Sequence, residues 1–438
     1  MSHFSILWRT LLMIFVCLYT SKGITGSLEA VVQESLSTNP QVRFSFSALK
    51  SAYYQDKSSI AGFLPTLRLS GDYGREYTDN DQRSSTDMTR RQARLQLRQP
   101  LYRGGQSAAE SSRTRATFMS ASYRVKEASE NFGLEIVENY LNVLKAKELV
   151  LLAQENLDMH YNIKQKVDDR HEQGVGDKAD IAQINGRISR AEANLNNARN
   201  ELMDTRSRYI SLVGSLSISM NKPQADKSYI PDSRSQAQSV ALANNPTILL
   251  STFDVKAAQA QYKSRKSGYY PQVDLVIDGG QKKNVSGFNG EEEDASAVVE
   301  LNWNLFNGTR DVNEAKAYYY KVEEAQMISN NARRQVMERI DLIWGGYLRD
   351  QRNIEVLREY VVSAKQAETL YNSQFQVNRR SLLDLLDSSN ELFEARKSYL
   401  DTEYSLLTDQ YRLMHIQGFL LESMRINIEK TIKEEVER

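Results

Sequence analysis

The charged residues best placed to do chemistry gather in one stretch, Asn378-Arg379-Arg380-Ser381-Leu382-Leu383-Asp384-Leu385-Leu386-Asp387. Ser381 followed three residues later by Asp384 has the form of a helix N-cap with an acidic partner, so the stretch reads as a turn between two long helices. Asp384 and Asp387 fall in the first turns of the second helix, where the helix dipole favours acids. The same device stands 204 residues earlier, where Asp177 and Asp180 follow Gly174-Val175-Gly176. Elsewhere chemistry is sparse. His3, His160, His171 and His415 are scattered without metal-ligand spacing. No nucleophile has a plausible base and there is no phosphate loop, so neither an enzyme site, a metal nor a cofactor is expected.

A turn that recurs at a fixed offset implies a duplicated unit, and composition says what kind. Of 438 residues, 40% are apolar, 26% are charged and only 7 are proline, which favours long solvated amphipathic helices over a thick globule. Formal net charge is zero, so no global field points to nucleic acid. Arg9 precedes an unbroken apolar run from Leu11 to Tyr19 and then Ser21-Lys22-Gly23, the form of a secretory signal peptide over residues 1–23. Cleavage is expected near Gly23, with Gly26 as the alternative. The single cysteine, Cys17, lies inside this run behind Val16, a poor context for lipid attachment, and the mature chain would contain none. No later run reaches the 18 apolar residues of a transmembrane helix.

The chain then reads as two matching halves, residues 24–232 and 233–420, followed by a charged tail, 421–438, expected to fray. Helical periodicity from Ser27 is interrupted at Asn39-Pro40 and ends at Gly62 and Pro65. Leu67, Leu69, Gly71 and Tyr73 then alternate with polar residues, as do Ala93, Leu95, Leu97 and Leu101, across a polar loop from Thr78 to Thr89; together they read as a hairpin. Arg103-Gly104-Gly105 breaks the second strand, and these glycines serve the strand-to-helix bend. From there a helix of about 70 residues, about 100 Å long, runs without proline and with one internal glycine, Gly133. It carries two offset apolar seams, which suit a helix packed between two neighbours rather than a dimeric coiled coil. A shorter helix returns from Asp177 to Gly214, and a polar linker carries Pro223 and Pro231. Asn245-Pro246 and Pro271 then repeat Asn39-Pro40 and Pro65 at an offset of 206, and Leu305-Phe306-Asn307-Gly308 repeats Leu101-Tyr102-Arg103-Gly104 at 204. Strand runs at Val273–Ile277 and Val299–Leu305 flank a polar loop from Lys282 to Asp294, and the return helix ends at Gly418. The two return helices together match one long helix, so stacked end to end they would lie beside it.

Each chain thus offers four alternating strands of about ten residues, a length that crosses a bilayer when tilted. Leu67, Leu95, Leu275, Leu301 and Trp303 would face lipid, and Arg68, Arg94, Arg98, Asp274, Asp278 and Glu300 would line water. Open strand edges are forbidden in hydrocarbon, so strands entering a membrane require several chains to share one barrel. Alternation also fits two soluble hairpins capping a helical rod, but the signal peptide and the charged second face favour the membrane.

The ordered set of paired Asn-Pro sites, strand-start prolines, aromatic-x-Gly junctions and the turn around Arg380 resembles the TolC-like outer-membrane efflux and secretion channels of Gram-negative bacteria, over nearly the whole mature chain. Within that family it is most similar to the outer-membrane components of type I secretion systems (AggA/LapE-like). The resemblance implies an α+β membrane protein: a homotrimer with a shared 12-stranded outer-membrane β-barrel continued by a long periplasmic α-helical barrel. It implies a passive conduit for exported protein, docked to a periplasmic adaptor and an inner-membrane ABC transporter that supplies the energy. The alternative is a channel for drugs or other small molecules. By position, Asp384 and Asp387 match the family's paired entrance aspartates, whose rings in three chains would attract cations. Arg380 matches the arginine that ties neighbouring helices shut, and Asp180 its acidic partner. Phe375 replaces a tyrosine of that latch and cannot donate its hydrogen bond. Gly104, Gly105 and Gly308 mark the strand-to-helix junctions. A periplasmic adaptor would instead show one hairpin flanked by compact β domains, and a soluble coiled-coil rod would need neither the strands nor the signal peptide.

Overall fold

The computed structural model describes residues 27–80, 83–215 and 220–437. The expected signal peptide, its cleavage site and Cys17 lie outside them. Helix α1 (Leu28–Thr38) opens on Ser27, whose hydroxyl accepts from the N–H of Ala30. Asn39 caps α2 (Pro40–Ser59), its carboxamide oxygen accepting from the N–H groups of Gln41 and Val42 at 2.8 and 3.0 Å. Asn-Pro is therefore a capping device: asparagine satisfies free N–H groups, and the following proline has none to satisfy. A 3-10 turn, Ile60–Phe63, leads into β1 (Thr66–Asn80) and β2 (Arg83–Tyr102), and then α3 (Gln106–Glu172) and α4 (Lys178–Val213) follow. Beyond the linker, α5 (Arg234–Asn244) leads to α6 (Pro246–Lys266), capped by Asn245 in the manner of Asn39. Strands β3 (Gln272–Lys283) and β4 (Glu291–Asn302) precede α7 (Arg310–Gln376) and α8 (Leu382–Ile416). Both α3 and α7 have 67 residues, about 100 Å each; the return helices α4 and α8 have 36 and 35.

The four strands form one antiparallel sheet in the order β1-β2-β3-β4. Its register sets Leu67 opposite Leu97, Leu97 opposite Ile277, Leu275 opposite Val299 and Val273 opposite Leu301, so the apolar residues share one face. Arg68, Gln96 and Asp278 share the other, as do Asp274 and Glu300. The expected polar loops are shorter than their composition suggests, and the strands are 12 to 20 residues long rather than about ten. Charge pairing across the strands explains this. Arg75 binds Asp87, Arg90 binds Asp72 and Glu76, and Lys283 and Lys282 bind Glu291 and Glu292. Residues whose composition suggests a loop therefore zip into ladder positions. At the other end β4 stops at Asn302, so Trp303 and Leu305 lie past the strand on which they were expected; the Trp303 indole donates to the carbonyl of Tyr269 at 3.3 Å.

Contacts divide the chain into two units, each drawing segments from both halves of the sequence. One holds 129–241 and 338–428 with the described part of Met1–Val42; the other holds 43–128, 242–337 and the chain from Glu429. The core of the first includes Val167, Ile184, Ile188, Phe375, Leu382, Leu385 and Leu386. Within it Gly133 has a packing reason: a Cβ there would lie 2.9 Å from Leu421 Cδ2. Buried Glu130 caps the short helix α9 (Leu420–Ser423), accepting from the N–H groups of Leu420 and Leu421 at 3.1 and 3.3 Å. The tail is not frayed. Helix α10 (Ile428–Glu437) is ordered, with Ile428 buried and with Lys126–Glu429 and Lys50–Glu435 ion pairs of 3.3 and 2.7 Å in the second unit.

Candidate functional site

Two hairpin tips in the first unit hold the expected gate residues. Helix α3 ends in a Schellman turn: Gly174 sits at φ 78°, Val175 N–H bonds to Arg170 O and Gly174 N–H to His171 O, both at 3.0 Å. Helix α7 ends in the same pattern. Asn378 sits at φ 58°, Arg379 N–H bonds to Gln374 O at 2.9 Å and Asn378 N–H to Phe375 O at 3.1 Å. Both return helices are capped as expected. Asp177 accepts from Ala179 N–H at 3.0 Å, and the Ser381 hydroxyl accepts from Asp384 N–H at 3.2 Å. That hydroxyl also donates to Asp384 Oδ2 at 2.9 Å, so Ser381 and Asp384 hold each other across the first turn of α8 without the reciprocal bond to the Ser381 N–H that a capping box has.

Within the chain Arg380 does not pair with Asp180. Its Nε donates to Gln374 Oε1 at 2.9 Å, its guanidinium lies 4.3 Å from the ring centre of Tyr371, and Nη1 is 3.7 Å from Asp384 Oδ2. Among the described residues no ion pair engages Asp180. Phe375 is fully buried in the tip core rather than set out at an aperture, and Arg170 stacks over its ring at 4.6 Å. Asp387 is paired with Arg187 of α4, Oδ1 to Nη2, at 2.7 Å. Sequence reasoning singled out neither Arg187 nor Tyr371, Gln374 and Arg170, because each partner is fixed by helix packing rather than by spacing. Below the tip, His160 is buried; its Nδ1–H donates to Asn156 O at 2.7 Å. Burial pushes its pKa below the ordinary imidazole value, and Arg187 nearby adds to the effect.

The sheet, in the other unit, is a separate functional element. Its apolar face is open: Leu67, Leu69, Val299 and Leu301 are each roughly two-thirds exposed. Exposed aromatics stand toward both ends of the strands, Tyr77 near the far end of β1 and Trp303 and Phe306 past β4, with Tyr73 midway along β1. An apolar band between aromatic residues is the surface of a strand in lipid. On the opposite face buried Asp274 takes Arg98 at 2.8 Å and Arg103 at 3.0 Å, and Arg98 also binds Glu300 at 2.9 Å. Arg103 therefore does more than flank the bend. Gly104 is required there: at φ 60°, a Cβ would lie 2.7 Å from Ser267 O. Gly105 and Gly308 also take positive φ, at 83° and 69°.

A lipid-suited sheet, a compensated charged face and long helices that turn back at capped tips define an outer-membrane channel component. The chain belongs to the family described as outer membrane efflux protein, which it matches over residues 31–215 and 237–418. It is 23% identical over 325 residues to the outer membrane efflux protein BepC of Brucella suis, covering 74% of this chain and 71% of BepC. It is 21% identical over 406 residues to the alkaline protease secretion protein AprF of Pseudomonas aeruginosa, covering 89% and 84%. The fold is that of the outer membrane protein VceC from Vibrio cholerae, with a TM-score of 0.77 at 17% identity over 89% of this chain and 96% of that one. The protein is thus a TolC-family channel of the outer membrane that extends into the periplasm.

Proposed function

We propose that three copies of the chain, each contributing its two repeats (24–232 and 233–420), close a 12-stranded barrel, and that the assembly is the exit duct of a type I secretion system. The observation that carries the closure is the sheet: four strands with an open apolar face leave β1 and β4 as bare edges, which hydrocarbon does not tolerate. The duct receives protein cargo from an inner-membrane ABC transporter through a periplasmic adaptor, and does no chemistry itself. Similarity to AprF supports the secretion reading, and similarity to BepC supports the second reading, a small-molecule efflux channel. Deleting the gene in its native host separates them. Loss of one or a few large proteins from the medium, with drug tolerance unchanged, fits secretion; unchanged secretion with new drug sensitivity moves the protein to efflux.

At the tips, Asp384 and Asp387 are the entrance carboxylates, and Arg380 and Asp180 are a latch made between neighbouring chains. The in-chain contacts of Arg380 with Gln374 and Tyr371 hold its guanidinium at the tip. Phe375 packs beneath the latch rather than forming part of it. Arg380→Ala is expected to raise the single-channel conductance of purified protein in a planar bilayer; unchanged conductance removes the latch role and leaves the channel intact.

A further inference from the structure

We infer that Arg187 sets the ion preference of the entrance by holding the carboxylate of Asp387. The inference rests on the channel reading above and adds a residue which that reading did not contain. The two tip aspartates are not equivalent. Asp384 is engaged inside its own turn by Ser381 and, more distantly, by Arg380. Asp387 lies one turn further along α8, and its side chain is 59% exposed, so its charge faces solution. It is nevertheless fixed by an arginine of a different helix, with Oδ1 2.7 Å from Nη2 of Arg187. Among the described residues this is the ion pair that joins α4 to α8.

Two observations mark the pair as more than incidental surface charge. It occurs once per chain: 204 residues on, Arg187 corresponds to Glu391, and 204 residues back, Asp387 corresponds to Gln183. The matching of the halves therefore does not generate it. Arg187 is also the less exposed partner, at 24%, so its partly buried charge calls for a counter-ion, which Asp387 provides. Such a pair, half in solvent, contributes little to folding. Its effect on ions is larger, because a paired carboxylate presents a dipole to a passing ion where a free one presents a full charge. Removing Arg187 from three copies would free three carboxylates within one constriction, where like charges raise the local counter-ion concentration.

The test uses the purified full-length channel in planar bilayers under a potassium chloride gradient. Reversal potentials are compared for the wild type, Arg187→Gln, Arg187→Lys, Asp387→Asn and the double variant Arg187→Gln/Asp387→Asn. Arg187→Gln is expected to raise cation over anion permeability by about twofold or more. Asp387→Asn is expected to shift it the other way, and Arg187→Lys and the double variant to stay near the wild type. A conducting Arg187→Gln channel with the wild-type reversal potential overturns the inference. Were that variant not to assemble, an Asp387→Asn channel with the wild-type reversal potential overturns it equally. A wild type that forms no channel at all overturns the conduit reading instead, so the two failures are distinguishable.

Discussion

The two hairpin tips have nearly the same backbone and unlike side chains. Gly174 and Asn378 occupy the same left-handed position, and Val175 and Arg379 donate the same hydrogen bond back across the turn. From there they diverge. The first tip is closed by one imidazole bond and by close backbone approach: His171 Nδ1–H donates to Gly176 O at 3.2 Å, and Gly176 fits so closely that a Cβ would lie 2.8 Å from His171 N. At the equivalent places the second tip has Phe375, fully buried, and Arg380, reaching over Tyr371 to Gln374. One turn geometry is thus built in two ways, by close backbone approach and by side chains. The second tip supplies Arg380 to the proposed latch and the first supplies Asp180, which no ion pair engages among the described residues.

The largest expected effect separates the tips by their cores. Phe375→Ala should destabilise the protein by about 3–5 kcal/mol, because it opens a cavity among Leu382, Leu385 and Leu386. His171→Ala, at the equivalent place in the first tip, removes one hydrogen bond from a half-buried ring and should cost about 1 kcal/mol. Thermal midpoints of the detergent-solubilised protein by circular dichroism compare the two; equal losses would mean that the tips share one core role. A second pair reverses the order. Gly176→Ala forces a methyl against the His171 backbone and should cost about 1–3 kcal/mol. Arg380→Ala, which removes only half-exposed contacts, should cost less than about 1 kcal/mol. A silent Gly176→Ala would break the claim that the first tip depends on close backbone approach.

Much of this was legible in the sequence. Asn39 and Asn245 before proline, Asp177 and Ser381 as caps, and Gly214 and Gly418 as stops act through local chemistry, and local chemistry can be read from order alone. The two faces of the sheet were legible because a strand alternates with a period of two. What was lost depended on partners from elsewhere. Glu291, Glu292 and Asp294 look like loop residues until Lys283 and Lys282 stand opposite the first two and Arg94 of β2 reaches across Gly280 to the third. The tail looked free until Lys50 and Lys126 met it. At the site, Arg380, Asp384 and Asp387 could be picked out, but not that Asp387 belongs to Arg187 or that Phe375 is buried beneath Arg170.

One more mismatch between the halves is a buried histidine. His160 corresponds, 204 residues on, to Ala364, and both are buried. Burial lowers the pKa of His160 in the folded protein, so between that value and the unfolded value near 6.5 the unfolded chain binds the extra proton. Its contribution to stability is therefore complete above about pH 6.5 and is lost as pH falls toward the folded pKa. His160→Ala gives the first half the second half's residue. It should cost about 1–3 kcal/mol at pH 8, where packing and the Asn156 bond are lost, and less at pH 5, where the wild type has lost stability that the variant never had. His415, pushed down to about 4 by burial with Arg339 adding to it, weakens both proteins in acid alike and cancels in the difference. Thermal midpoints of the two proteins at pH 8 and pH 5 decide the matter. A gap between them that does not narrow in acid would show that His160 fills its place as passively as Ala364 does.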